Sequence, residues 1–550
     1  MKFVLAALNS SYVHSCLAVR VLGQVLRRHG HEVACVELTI NDRHPALLRR
    51  LWEQQGDAYL FSCYIWNITQ TLQLAQDLRQ TLPGVRIALG GPEVSYRPEQ
   101  LLELPFIDAV MCGEGEGPIV ALAQAWQQGQ QPQHPSITIR QHPQAQLAQT
   151  APLEDMPFPY EGDTQLDRIV YYESTRGCPY NCAYCLSSTI RGVRALPLPR
   201  VEREIRYLVE HGAKLVKFVD RTFNYDRERA RQLWRFLAGL PGDVRFHFEI
   251  CAHLLDEQTL ELLRGVPPDR FQFEIGVQST YPPTLEAIHR QTDTQQCLEN
   301  IRRLQHMGNI HLHVDLIAGL PYEDLEHFAQ SFDAVYPTAQ VLQLGFLKVL
   351  SGSEMERRQE EYGMVCSAQP PYEVYATRWM TYEQMLLLKD IEELVERYHN
   401  SGVFPRSMAL LETQFDSPFA CYQTMAQQLR TQGFYDRPRS QKSLYEVLYQ
   451  LGQWWDIPEQ PWEDAIREDY ILYQGLQNPP FLRREYEAQM RGAIRKFLHR
   501  ISVEQGREAA RHMACHPFGS RVLLFDEQKK TVADVTDEIE GLGTEQKESL

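Results

Sequence analysis

Cys178-Pro179-Tyr180-Asn181-Cys182-Ala183-Tyr184-Cys185 is the stretch on which the reading of this chain turns. Its C-x3-C-x2-C spacing lets one short loop aim three thiolates at a common point. The nearest other cysteines, Cys112 and Cys251, each stand 66 positions away, so no fourth thiol is close in sequence. A structural zinc site takes four protein ligands, and a four-iron cluster held by protein alone takes four thiolates. Three thiolates on such a cluster leave one iron open to an outside ligand, which is what a catalytic cluster requires. Zinc completed by a distant residue, and buried cysteines with no shared ligand, are the competing readings.

Working outward, the loop directly follows an apolar run at residues 169–175. Further strand-like runs are predicted at 214–219, 245–250, 271–277, 311–317 and 341–349, with helical patterns between them, such as 201–210 and 227–237. Six strands with crossover helices predict a partial (β/α)6 TIM-like barrel, whose chemistry lies at the carboxyl ends of the strands. Upstream, apolar runs at 3–8, 32–38, 58–63, 85–89 and 107–112 alternate with helical patterns. Continuous apolar strands between helices predict a parallel sheet covered on both faces, a doubly wound Rossmann-like α/β domain. A Gln- and Pro-rich linker, with one short strand at 136–140, joins the two series. After about residue 353 the strand signal fades, and 380–399 and 481–499 read as amphipathic helices. In the second, Tyr486, Met490, Ile494, Phe497 and Ile501 share one face. The divisions are therefore 1–130, linker 131–165, barrel 166–352, a mainly α-helical domain 353–535, and a frayed tail 536–550.

Composition excludes several classes. The 550 residues carry 55 basic and 71 acidic side chains, a net charge of −16, which disfavours wrapping of DNA or RNA. No stretch reaches the roughly 20 apolar residues that span a bilayer. The apolar run at 3–8 is shorter than a secretory h-region and reads as a buried strand. Twelve cysteines are too sparse for a disulfide scaffold, so a cytoplasmic location is expected.

At the cysteine loop the chain resembles the radical S-adenosylmethionine (radical SAM) superfamily, whose motif has this spacing with an aromatic before the last cysteine. Tyr184 fills that place. The resemblance implies a [4Fe-4S] cluster on Cys178, Cys182 and Cys185. That cluster reductively cleaves S-adenosylmethionine to a 5′-deoxyadenosyl radical, which takes hydrogen from substrate. It also implies oxygen sensitivity, and an electron donor such as flavodoxin or ferredoxin. Strand-end residues Asp220, Glu249, Glu274, Gly276, Gln278, Asp315 and Gly319 are then candidates to line the S-adenosylmethionine or substrate site. Carboxylates at strand ends also serve simply as solvated groups or helix caps.

Ahead of such a barrel, the first domain resembles cobalamin-binding domains. The residues that carry this are Ser62 after the third strand, Gly90-Gly91-Pro92-Glu93 after the fourth, and Gly113-Glu114-Gly115-Glu116-Gly117 after the fifth. A nicotinamide site is disfavoured. Asn9-Ser10-Ser11-Tyr12 replaces the expected G-x-G-x-x-G, and Glu114 and Glu116 would repel a pyrophosphate. The D-x-H-x-x-G pattern of cobalt-ligating domains is absent too. Tyr12-Val13-His14-Ser15-Cys16-Leu17 lacks its Asp and Gly, so His14 reads as a core or helix-starting residue. The whole chain is similar to a subgroup with a C-terminal helical domain of unknown function. That implies a cobalamin-dependent radical SAM enzyme, methylating an unactivated carbon or rearranging a small-molecule or peptide substrate, with no DNA or membrane partner. Two alternatives stay open: a radical SAM enzyme with a degenerate first domain, inserting sulfur or decarboxylating oxidatively, and a non-catalytic Fe–S or cobalamin sensor. A tRNA substrate would call for a basic surface. The only candidate is Arg483, Arg484, Arg491, Arg495, Lys496 and Arg500, which reads first as a solvated helix face.

Overall fold

The first strand, β1 (Lys2–Asn9), is almost wholly buried because its side chains serve two cores at once. Val4, Ala6 and Leu8 face one cluster with Leu47, Leu74 and Leu78, while Phe3, Leu5 and Ala7 face Val19, Leu26 and Ile119 on the other side. Strand geometry alternates the faces. In the computed structural model every residue is described except 144–145, 148–151, 164–165, 191, 483–487 and 545–550.

With β2 (Glu32–Thr39), β3 (Ala58–Ser62), β4 (Arg86–Gly90), β5 (Ala109–Met111) and β6 (Ile137–Thr138), β1 forms a sheet of order β2-β1-β3-β4-β5-β6. The pairs from β2 through β5 are parallel, and β6 is an antiparallel edge. The order reverses between β1 and β3. At such a switch point the connections leave to opposite faces and open a crevice beyond the carboxyl ends of the strands.

The second series gives β7 (Val170–Tyr172), a short antiparallel pair β8 (Thr175–Arg176) and β9 (Arg194–Ala195), then β10 (Leu215–Phe218), β11 (Arg245–Ile250), β12 (Phe271–Gln278), β13 (His311–Ala318) and β14 (Val341–Phe346). Its sheet order is β14-β13-β12-β11-β10-β7, an open barrel in which β7 and β14 are the edges. Strands β12 and β13 alternate strictly. Phe271, Phe273, Ile275 and Val277, like Leu312, Val314 and Leu316, are buried, and the intervening Gln272, Glu274, Gly276, Gln278, His313 and Asp315 share the other face. One face of the barrel sheet is thus apolar and the other polar. Asp226, Asp256, Asp293 and Asp324 each cap the helix that begins at the next residue, accepting a hydrogen bond from a backbone N–H in its first turn.

The chain divides into two compact units. One holds Met1–Ala339 with Gln343–Met385, and the other holds Gln340–Leu342 with Leu386–Leu550. The strand signal does not end at residue 353. A hairpin of β15 (Val365–Cys366) and β16 (Val374–Ala376) follows in the first unit. In the second, β17 (Met513–Phe518), β18 (Arg521–Asp526) and β19 (Thr531–Asp534) form an antiparallel sheet. Central β18 buries Val522, Leu523 and Phe525, so its sequence shows no period-two alternation to read. Part of the expected frayed tail is instead a helix, Thr536–Thr544. It is anchored by Val535 and Ile539 against Phe497 and Ile501 of the helix Ala488–Glu504. Of the residues expected on that apolar face, Tyr486 lies outside the described residues, as do Arg483 and Arg484 of the basic series. The expected helix at 380–399 runs over Tyr382–Leu394 and continues with wider turns over Val395–Asn400. No helix among the described residues is long and apolar enough to cross a membrane.

Candidate active site

A cavity of about 600 Å³ opens at the switch point of the first sheet. Ser62, Gly90, Gly91, Gly113, Glu114 and Gly115 line it from the first domain, and Thr175, Arg176, Gly177, Leu186, Ser187 and Arg221 from the barrel side. The buried amide of Asn67 donates to the carbonyls of Leu8 and Ser62, both at 3.0 Å, tying the ends of β1 and β3 together. Tyr64 and Trp66 stack at 4.4 Å and line the same wall. Sequence reading missed this pair, although an aromatic triplet spacing directly after a buried strand was visible. Gly91, at φ +115°, packs against the chain itself. A Cβ there would lie 2.4 Å from the carbonyl oxygen of Cys63.

Two expectations about this region are corrected. His14 is neither a core residue nor a helix start, since the helix begins at Leu17. It is partly exposed, lines the cavity, and its Nδ1 lies 2.7 Å from the hydroxyl of Tyr171. Burial and the charge of Lys217 lower its pKa. Glu114 and Glu116, in turn, do not present free negative charge. Arg176 meets Glu114 at 2.8 Å, Glu116 at 2.9 Å and Glu173 at 2.6 Å, and Arg194 also pairs with Glu114. Burial pulls the Arg176 pKa down, but Glu173 and Glu116 outweigh it and hold the guanidinium charged. The repulsion argument against a pyrophosphate therefore fails, while the missing G-x-G-x-x-G still stands.

The cysteine loop leaves β8 and is fixed from beneath. Asp220 accepts hydrogen bonds from Ser174 N (2.8 Å), Ser174 Oγ (2.5 Å) and Thr175 N (3.1 Å), and is fully buried. Burial raises its pKa to about 6 against these bonds. Asp220 was expected to touch a ligand; its oxygens instead hold the start of the loop. The next residues brace the thiols, with Thr222 Oγ1 3.6 Å from Cys178 Sγ. Arg290 Nη1 donates to Cys182 Sγ at 3.7 Å, and its Nη2 donates to the carbonyl of Gly276. Sequence reading missed Arg290, which carries no spacing signal. Burial raises the pKa of Tyr184, with Arg290 opposing. The three cysteines lie just outside the cavity lining, which their neighbours Gly177 and Leu186 reach. Among the described residues no three His, Cys, Asp or Glu side chains are placed to hold a single metal ion.

The remaining candidates form a second zone on the polar face of the barrel sheet. Glu274 meets His247 at 3.1 Å, and that bond lowers its pKa. Glu249 is raised to about 7 by burial, and Asp315 to about 8 by burial together with Glu274 and Glu249. Asp315 Oδ1 and Gln278 Oε1 are buried with no hydrogen-bond partner. The glycines were expected to let adenine approach, but the chain fills both spaces. A Cβ on Gly276 would strike Gln278 at 2.0 Å, and one on Gly319 would meet Met385 at 3.1 Å.

Residues 4–123 match the B12 binding domain, 172–335 the radical SAM superfamily, and 360–527 a protein family of unknown function (DUF4080). The cobalamin-dependent radical SAM methyltransferase TokK of Streptomyces tokunonensis is 28% identical over 350 residues, covering 56% of this chain and 50% of TokK. The 2-(S-pantetheinyl)-carbapenam-3-carboxylate methyltransferase of Streptantibioticus cattleyicolor is 29% identical over 309 residues, 50% of this chain and 44% of that protein. The chain thus matches about half the length of these curated relatives. The cobalamin-dependent S-adenosylmethionine radical enzyme OxsB, solved with aqua-cobalamin and S-adenosylmethionine, superposes with a TM-score of 0.59 at 14% identity, over 85% of this chain and 78% of OxsB. That likeness is one of fold. The chain carries a radical SAM domain, with a B12 binding domain ahead of it and a DUF4080 domain after it.

Proposed function

We propose that this chain is a cobalamin-dependent radical SAM methyltransferase acting on carbon of a small-molecule or peptide substrate, and drawing electrons from a flavodoxin- or ferredoxin-like donor. One observation carries the reading. The switch-point loops that would hold cobalamin and the residues flanking the cysteine loop line one continuous cavity, so two cofactors would face one substrate. When bound, a [4Fe-4S] cluster supplies one-electron reductive cleavage of S-adenosylmethionine, and cobalamin supplies a transferable methyl group.

The residues suit those groups. Cys178, Cys182 and Cys185 would hold the cluster. Arg290 donates to Cys182 Sγ, and Thr222 sets a hydroxyl against Cys178, where it opposes the rise in pKa that burial imposes on that thiol. Asp220 would act through Ser174 and Thr175 as a positioning residue for the loop. Gln278 and Asp315 present buried polar atoms without partners, and a native fold leaves few such groups unsatisfied. The ribose and amino groups of S-adenosylmethionine would satisfy them, with Glu249 and Glu274 beside them. Ser62, Gly90, Gly91, Gly113, Glu114 and Gly115, with Tyr64 and Trp66, would form the cobalamin wall.

The test is turnover with methyl-deuterated S-adenosylmethionine, a chemical reductant and cell extract as substrate source, under strict anaerobiosis. Deuterated methyl should appear in a new product only with wild-type protein, and 5′-deoxyadenosine should vanish in Cys185→Ala. Label-free product, or 5′-deoxyadenosine formed equally by the variant, would contradict the assignment.

A further inference from the structure

Charge in the 600 Å³ cavity is lopsided once its ion pairs are drawn. Two arginines line it. Arg176 is neutralised by Glu114, Glu116 and Glu173. Arg221 is exposed, and among the described residues its guanidinium makes no hydrogen bond or ion pair. Its backbone cannot drift, because it lies between Asp220, fixed through Ser174 and Thr175, and Thr222, whose hydroxyl meets Cys178. Its charge favours the ionised forms of Tyr64, on the first-domain wall, and of Glu249, on the barrel. Arg221 thus stands on a lining that also includes Leu5, Ile119 and Trp66.

Resting on the methyltransferase reading, we infer that Arg221 is the anion anchor of the substrate site, and that the substrate is a small acid presenting a carboxylate to it. A planar guanidinium pairs with a carboxylate through two parallel N–H···O bonds, which fixes orientation as well as position. An amide offers the guanidinium no charge-assisted pair of bonds, so acids are preferred over their neutral analogues. The same chemistry could be met by the carboxylate of S-adenosylmethionine, and the experiment separates the two sources.

The probe is a panel of small carboxylic acids, each matched with its primary amide. Binding is followed by ligand-observed NMR on protein loaded with cluster and cobalamin, in the presence of S-adenosylmethionine. Wild type should favour acids over amides by about tenfold or more, the scale of one charge-assisted hydrogen bond. Arg221→Gln should erase that preference, and Arg221→Lys should keep part of it, since lysine has the charge without the fork. S-adenosylmethionine affinity and cobalamin retention should be unchanged in both variants. Equal binding of acids and amides by wild type would overturn the proposal. So would an Arg221→Gln variant that keeps the acid preference but loses S-adenosylmethionine affinity, which would assign the guanidinium to the cofactor. Failure of wild type to retain cobalamin would instead break the methyltransferase reading, while the acid–amide comparison still reports on Arg221.

Discussion

Replacing Arg176 with Met should weaken the first unit of the chain by several kcal/mol. The side chain is 18% exposed, and its partners Glu114, Glu116 and Glu173 are 9%, 9% and 21% exposed, so water screens the node poorly. In the native protein Arg176 and Arg194 face three carboxylates, leaving one negative charge in excess; the substitution makes it two. Removing one partner of a buried pair costs about 3–5 kcal/mol, mostly as the penalty for the charge left behind. Urea unfolding of the reduced, cofactor-free protein at unchanged m-value measures it directly. Adding Glu116→Gln should return part of the loss, since the double variant removes one stranded charge. A loss below about 1 kcal/mol would refute the reasoning, by showing that the node behaves as an exposed surface pair.

Asp220→Ala removes the acceptor for three hydrogen bonds under the cysteine loop, and should cost about 1–3 kcal/mol and lower iron retained after reconstitution. Iron content equal to wild type would show the loop does not need that support. Gly91→Ala sets a Cβ 2.4 Å from the Cys63 carbonyl at φ +115°, and a loss of about 1–3 kcal/mol is expected from the urea midpoint. Asp315, Glu323 and Glu249, raised to about 8, 8 and 7 from ordinary values of 3.8, 4.5 and 4.5, favour folding when protonated. Their contribution is full below about pH 4 and is lost as pH rises through 7–8, since each folded pKa lies above its unfolded one. Asp315→Asn in the cofactor-free protein should therefore flatten stability between about pH 5 and pH 8, on the order of that loss. An unchanged pH profile would show that Asp315 is already ionised at neutrality.

The legible parts of this chain were those in which local pattern and burial agree. Phe271-Gln272-Phe273-Glu274-Ile275-Gly276-Val277-Gln278 announces both a strand and its polar face, and the fold keeps that alternation. Strand β18 was illegible because Val522 and Leu523 are buried on opposite faces, although Gly519-Ser520 between Phe518 and Arg521 was a two-residue hairpin signal. The thiol spacing gave the loop, while what surrounds it came from far along the chain. Arg176 and Glu114 are 62 residues apart, and Arg290 and Cys182 are 108. No spacing rule joins such pairs, so Glu114 read as a free charge and Arg290 was not read at all. Asp220 was placed correctly at a strand end, but a strand end does not say whether its carboxyl turns to ligand or to backbone.

The central claim is that one cavity serves two cofactors held by separate parts of the first unit. The measurement is the absorption spectrum after anaerobic reconstitution with iron, sulfide and hydroxocobalamin, followed by desalting, for wild type beside Cys182→Ala. Cluster bands lost in the variant, with corrin bands retained in both, are the predicted result. Wild-type protein that keeps its cluster but no corrin, or a variant that keeps wild-type cluster bands, would contradict it.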